Sequence, residues 1–317
     1  LSLVLLPAAW LVACGFIRAT GDEEDLRAQA FPLLLCGLAV VAVLLAVLGS
    51  FSIRLALLAA ILLGGAGVGL CFWRSWAQPP LPEWQMRPGE PRLPRPVAIA
   101  LAGMVLLSLL MGYIASLAPV TGWDAAVAHI ALPADYARDG RIYLQEGNVY
   151  SAYPHLAHTL YAVAYAGGGE KSVTLLNWIF ALFACGAVYS LARRLGGKHA
   201  GLAGAAILTT APVFADQIGS VSIDLAFCAF ATTALWLCIR WLYPRDALPL
   251  VLAGFLAGSS CGIRHTGYLV CVLLLIGVLY SARGARTPAA LLFAVPAFLG
   301  LAPWALRTWW LTGNPIF

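Results

Sequence analysis

Apolar residues run along this chain in long, nearly unbroken blocks, separated by short polar stretches rich in arginine, glycine and proline. Blocks of about 20 apolar residues mark helices that cross a bilayer. The pattern predicts helices over 2–17, 30–50, 53–73, 96–118, 172–192, 200–215, 221–241, 247–262, 266–282 and 288–310. The runs at 200–215 and 247–262 are short for a full crossing, a mismatch that tilt or local thinning accommodates. The expected fold class is all-α: a polytopic transmembrane helix bundle of about 9–10 spans.

Composition supports the same solvent. The chain is 62% hydrophobic and 10% charged, against roughly a quarter charged in soluble domains. So few charges cannot cover a surface that faces water. The eight cysteines show no C-x-x-C spacing and lie mostly in apolar runs. They read as small buried hydrophobes, not as a zinc site or disulfide framework. The chain begins without Met and stops at Asn314-Pro315-Ile316-Phe317, so a fragment is expected, at least at the C-terminus. The 1–17 stretch lacks a basic leading region and reads as a span, not a signal peptide.

Lysine and arginine set the expected orientation. Arg74, Arg87, Arg92, Arg95, Arg193, Arg194, Lys198, Arg240, Arg245, Arg283 and Arg286 fall in one set of loops. These are placed in the cytoplasm. The 119–171 loop, the turns at 214–220 and 262–266, and the C-terminal end then face outward. The proline-rich stretch 78–95 reads as an extended cytoplasmic linker. It divides leading helices at 1–77 from a core at 96–317.

Function is expected in the outer loop. Of 14 acidic residues and five histidines, 119–171 holds Asp124, Asp135, Asp139, Glu146, Glu170, His129, His155 and His158. Loops this long are functional or disordered, and aromatic residues at helical spacing argue against disorder. Two interfacial helices are expected, over 124–139 and 154–166. Asp124 follows Trp123, an interface anchor, so it reads either as an N-cap or as a carboxylate within reach of a lipid-borne substrate. His129 stands five residues on and does not stack on Asp124 as an i,i+4 pair would; it is counted as a substrate-binding candidate that helps Asp124 from behind. Asp135 and Asp139, beside Arg138, read as a solvated helix face. His155 and His158 read either as surface residues or as contacts to sugar or phosphate.

In order and spacing, Trp123-Asp124, His129-Ile-Ala-Leu-Pro133, Tyr136, Gly140-Arg141-Ile142, Gly147-Asn148-Val149-Tyr150-Ser151 and Pro154 resemble the first outer loop of bacterial GT-C glycosyltransferases. These include protein mannosyltransferases and the lipid A aminoarabinose transferase. Leu191-Ala-Arg-Arg-Leu-Gly196, Ser222-Ile-Asp224, Gly262-Ile-Arg264-His265-Thr266-Gly267, Pro303-Trp304, Arg307 and Thr312-Gly-Asn-Pro315 extend the resemblance over 96–317. Two positions depart from it: Ala128 stands where many relatives have Tyr, and Arg264-His265 stands where a Lys-Tyr pair is usual.

The resemblance implies a bacterial inner-membrane enzyme of GT-C-like fold with an outward-facing site. It would move a sugar from a polyprenyl-phosphate donor to an acceptor hydroxyl. The donor and membrane lipids are the implied partners, the acceptor is open, and no nucleic acid is expected. Asp124 is the candidate base. Arg264 is the candidate cation for the leaving phosphate, with Arg307 a second; snorkelling to headgroups competes for both. Asp224, in an apolar stretch, reads either as a partner for an arginine or as a wall of the cavity. No cofactor is required by the pattern, although some relatives use a divalent metal. A multi-pass transporter and a noncatalytic membrane subunit are the alternative readings. No internal repeat supports the former.

Overall fold

The computed structural model describes residues 26–75, 93–243 and 245–317. The expected span at 2–17 and most of the 78–95 linker lie outside them. Ten α-helices and no strand occur among the described residues. Five are long and apolar enough to cross a membrane, including Arg95–Ala115, Asp224–Trp241 and Arg286–Thr312. The expected helical bundle is therefore present.

Helices α1 (Leu26–Phe51) and α2 (Ile53–Ser75) form a hairpin broken at Ser52. Leu35, Leu38, Val41, Ala42 and Leu45 of α1 are buried, while Leu55, Leu58 and Leu62 of α2 are exposed. Helix α3 (Arg95–Ala115) touches the bundle on a narrow face, where Trp178 Nε1 donates to the Leu109 carbonyl at 3.0 Å. Its Ile99, Leu106 and Leu107 are exposed. In water such a face would be a sticky patch; in a bilayer it is the surface offered to lipid.

Helix α4 (Ala131–Asp139) lies in the outer loop, and α5 (Leu156–Thr210) follows it. The 55 residues of α5 are broken twice, at Gly168–Gly169 and Gly196–Gly197. Gly169 (φ +67°) and Gly197 (φ +82°) adopt the left-handed backbone that glycine alone enters cheaply. Three segments result, 156–167, 170–195 and 198–210. They correspond to the separate helices expected at 154–166, 172–192 and 200–215. The last segment folds back on the second, with Gly204 against Val188 and Ala192.

The remaining helices are α6 (Pro212–Ser220), α7 (Asp224–Trp241), α8 (Ala247–Cys261), α9 (Thr266–Ser281) and α10 (Arg286–Thr312). Two expectations are corrected here. The 214–220 stretch is helical, because Pro212 supplies a first-turn residue that needs no donor. The 154–166 helix does not rest exposed on the bundle. Residues 156–164 are all buried, because the outer loop folds over them.

Helices α8 and α10 make the closest contact. A Cβ on Gly254 or Gly258 would collide with the carbonyls of Phe293 or Ala297, and one on Gly300 with the Phe255 carbonyl. Small residues four apart thus let two backbones touch. At the end of this contact, Gly262 lies flat against the Trp304 indole. That fixes the turn carrying Arg264 beside the helix carrying Arg307.

The elements assigned outward by charge do meet at one end. The Leu156 amide donates to the Gly262 carbonyl at 2.7 Å, and Ile142 to Gly49 at 2.7 Å. The Val120 amide donates to Glu170 Oε1 at 2.7 Å. Gly122 sits against Ser220. The outer loop is thereby tied to α1, α5, α6 and α8.

Candidate active site

The loop between α3 and α4 opens with Trp123, which is 67% exposed. Asp124 follows, exposed, with helical backbone angles and no side-chain capping bond. The capping role is not taken. Residues Ala125–His129 form a π turn, closed by the Ile130 amide on the Ala125 carbonyl at 2.9 Å. A π turn brings residues five apart into register. The Asp124 carboxylate accordingly acts on the His129 ring, favouring its charged form. The spacing that argues against contact in an α-helix permits it here. Asn148 braces the turn, donating from Nδ2 to the Val127 carbonyl at 3.0 Å.

His129 lies over a file of buried rings. Its Nδ1 is 2.9 Å from His158 Nε2. The His158 and His155 rings stack at 4.9 Å between centroids. His155 Nε2 is 3.1 Å from the Tyr136 hydroxyl. His155 and His158 are thus buried residues of the site, not surface ones. Burial lowers the His129 pKa to about 4, against the favourable Asp124 charge and with the adverse Arg264 charge. Burial likewise holds His155 well below its ordinary range, helped by Arg307 and His158. Burial raises the Tyr136 phenol. The rings are therefore neutral near neutral pH.

Two cations flank this file. Arg264 pairs with Asp224, and both side chains are about half exposed. Ser222 Oγ accepts the Asp224 amide at 2.8 Å, fixing the start of α7. Arg307 reaches in from α10. Its Nη2 donates to the Ser151 carbonyl at 3.1 Å, while its Nη1 is buried without a partner. Among the described residues no carboxylate pairs with it, and its charge acts on Tyr136 and His155. A guanidinium with an N–H left over can make a charge-assisted bond to an anion.

Asp135 pairs with Arg138 and Asp139 accepts from Tyr143, on the exposed side of α4. They form the wet face expected for them. The Tyr143 hydrogen bond holds Asp139 below the usual carboxylate range. Tyr136, Asn148 and Glu170 were not singled out by role in the sequence. Only Asn148, between Gly147 and a short helical turn, carries a local signal, as the residue whose Oδ1 caps Tyr150. Among the described residues, no group of three His, Cys, Asp or Glu side chains gathers as a ligand set.

The membrane-capable helical bundle and one family comparison support a GT-C-like glycosyltransferase. Residues 153–309 match the family model described as dolichyl-phosphate-mannose-protein mannosyltransferase. That segment runs from the stacked histidines through α10 and so includes His155, His158, Asp224, Arg264 and Arg307. Asp124 and His129 precede it. Comparisons with curated proteins and with solved structures find no match.

Proposed function

We propose that the chain transfers a sugar, with mannose the first candidate, from a polyprenyl-phosphate donor to an acceptor hydroxyl at the outer face of the membrane. The observation that carries this reading is the packing at one end of the bundle: the Leu156 amide on the Gly262 carbonyl and Gly262 against Trp304 set the turn of Arg264 and the helix of Arg307 beside the stacked His155 and His158. Phosphate stabilisation needs that proximity.

Asp124 takes the proton of the acceptor hydroxyl as its oxygen bonds to the anomeric carbon. The bond from that carbon to the donor phosphate breaks, and the phosphate leaves with the electron pair. Negative charge on the phosphate oxygens is met by Arg264 and Arg307. Arg264 is held ready by Asp224. Arg307 offers its free Nη1 from a buried position, where a charge-assisted bond is strong. The exposed apolar faces of α3 and α9, with Leu106, Leu107, Leu269 and Val272, leave the polyprenyl chain in lipid.

The test is Asp124→Asn, assayed in membranes with polyprenyl-phosphate mannose. Transfer is expected to fall at least about 100-fold, the usual worth of a positioned base, with donor affinity kept. Full activity of that variant would remove Asp124 as the base.

A further inference from the structure

Cys261 closes α8, and Cys271 sits in the second turn of α9. Along the chain both read as small apolar fillers, but folding brings their sulfurs to 3.7 Å, van der Waals contact. The backbone imposes this meeting. A Cβ on Gly267 would come within 2.7 Å of the Cys261 Cα and 2.5 Å of its amide nitrogen, so the first turn of α9 rests directly on the last residue of α8. Cys271 follows Gly267 by four residues and shares its helix face.

Side chains of a helix lean toward its N-terminus. Cys261 leans back along α8, where its Sγ lies 3.8 Å from the Ala257 carbonyl. Cys271 leans toward the turn, and the two sulfurs meet in between. A disulfide has a sulfur separation of about 2.05 Å. The remaining approach, about 1.6 Å, is within reach of small χ1 rotations at both residues. Cys261 is buried, whereas Cys271 is half-buried beside the exposed Leu269 and Val272. Between the two cysteines runs the turn of Gly262 and Arg264, where the Leu156 amide meets the Gly262 carbonyl.

We infer that Cys261 and Cys271 are a disulfide-forming pair, oxidised by a dithiol oxidase in its disulfide form, and that their bond clamps the 262–266 turn carrying Arg264. The thiolate of Cys271, the more exposed, attacks one sulfur of the oxidant's disulfide. That S–S bond breaks, and the oxidant's other sulfur leaves as a thiolate. The Cys261 thiolate then attacks Cys271 Sγ in the mixed disulfide and frees the second oxidant sulfur. Two electrons pass to the oxidant, and the two protons given up by the cysteines complete its dithiol. Such bonds persist outside the cytoplasm, so access of the oxidase rests on the outward orientation proposed above for this end. The pairing itself does not.

The experiment incubates the full chain, in lipid nanodiscs open on both faces, with oxidised glutathione at pH 8. The chain is then unfolded, alkylated, digested and mapped by mass spectrometry. A peptide joining Cys261 to Cys271 is expected, lighter by two hydrogens, with Cys36, Cys185, Cys228 and Cys238 outside any such link. Linkage should raise the melting temperature by about 5 °C over the reduced form, the usual worth of closing a loop of about ten residues. Amide exchange in 262–266 should slow at least about tenfold and recover on reduction. In Cys261→Ser and in Cys271→Ser, melting should no longer respond to oxidised glutathione. Sulfurs that stay unlinked through the incubation, links to other cysteines in their place, or melting and exchange that ignore the linkage overturn the inference. The readouts involve no sugar transfer, so a failed transfer assay counts against the glycosyl-transfer reading alone.

Discussion

Asp224, in the first turn of α7, is ion-paired to Arg264 from the turn between α8 and α9. The pair joins two helices at the outer end and keeps a guanidinium close to the site. With both side chains about half exposed, it contributes little to stability, on the order of 1 kcal/mol or less. Its value lies in placing the charge.

Exchanging the two residues separates those roles. The double variant Asp224→Arg, Arg264→Asp restores a pair of opposite charges but moves the cation. Thermal unfolding in nanodiscs should return to within a few degrees of the parent. Transfer activity should stay at least about tenfold down, since one charge-assisted bond to phosphate is lost. Recovery of activity along with stability would show that the pair is a structural tie only.

Arg307 is expected to respond differently. Arg307→Lys keeps the charge but loses the planar fork whose Nη2 holds the Ser151 carbonyl while Nη1 stays available for an anion. It should fold and bind donor about tenfold more weakly. Arg307→Met removes the charge from a buried position that has no carboxylate partner among the described residues. It should leave stability near the parent or raise it, while donor binding becomes undetectable. Donor-binding isotherms beside melting curves check both.

Gly258 and Gly277 form a matched pair for packing. A Cβ at Gly258 would strike the Ala297 carbonyl, whereas one at Gly277 meets nothing within 4 Å. Gly258→Ala should destabilise the bundle by about 1–3 kcal/mol through overpacking. Gly277→Ala should be neutral or stabilising by up to about 1 kcal/mol. Steric-trap or thermal unfolding in the same lipid distinguishes them.

Acid should loosen the outer end before it affects the spans. His129 titrates near 4 in the folded chain, against an ordinary 6.5, and His155 also lies well below 6.5. Between pH 6.5 and about 4 the unfolded chain therefore binds more protons than the folded one. Stability is full above 6.5 and is lost as pH falls through that window. The slope approaches about 1.4 kcal/mol per pH unit for each such ring. His129→Gln should flatten the slope, as read from melting temperatures at pH 7.5, 5.5 and 4.5. An unchanged slope would mean that His129 is not buried neutral.

Much of this architecture was legible along the chain. The apolar blocks marked the helices, and even the two interruptions in α5 fell where glycine pairs end one block and begin the next. Asp124, Asp224, Arg264 and Arg307 stood out because a charge in an apolar setting is costly and so conspicuous. The histidines were legible as residues but not as buried ones. Tyr136 and Glu170 showed no role along the chain, because their partners lie 19 and 50 residues away.

The sequence by itself determined the solvent and the helical class, since these follow from local hydropathy, summed over a few turns. Only the folded structure showed that Asp124 and His129 flank a π turn, which a spacing of five residues does not announce. Only it decided that Arg264 has a carboxylate, that Arg307 keeps a buried N–H without a partner among the described residues, and that three histidines stand in one file. Each of these depends on which helices lie side by side, and so on neighbours that the chain brings together only after it has folded.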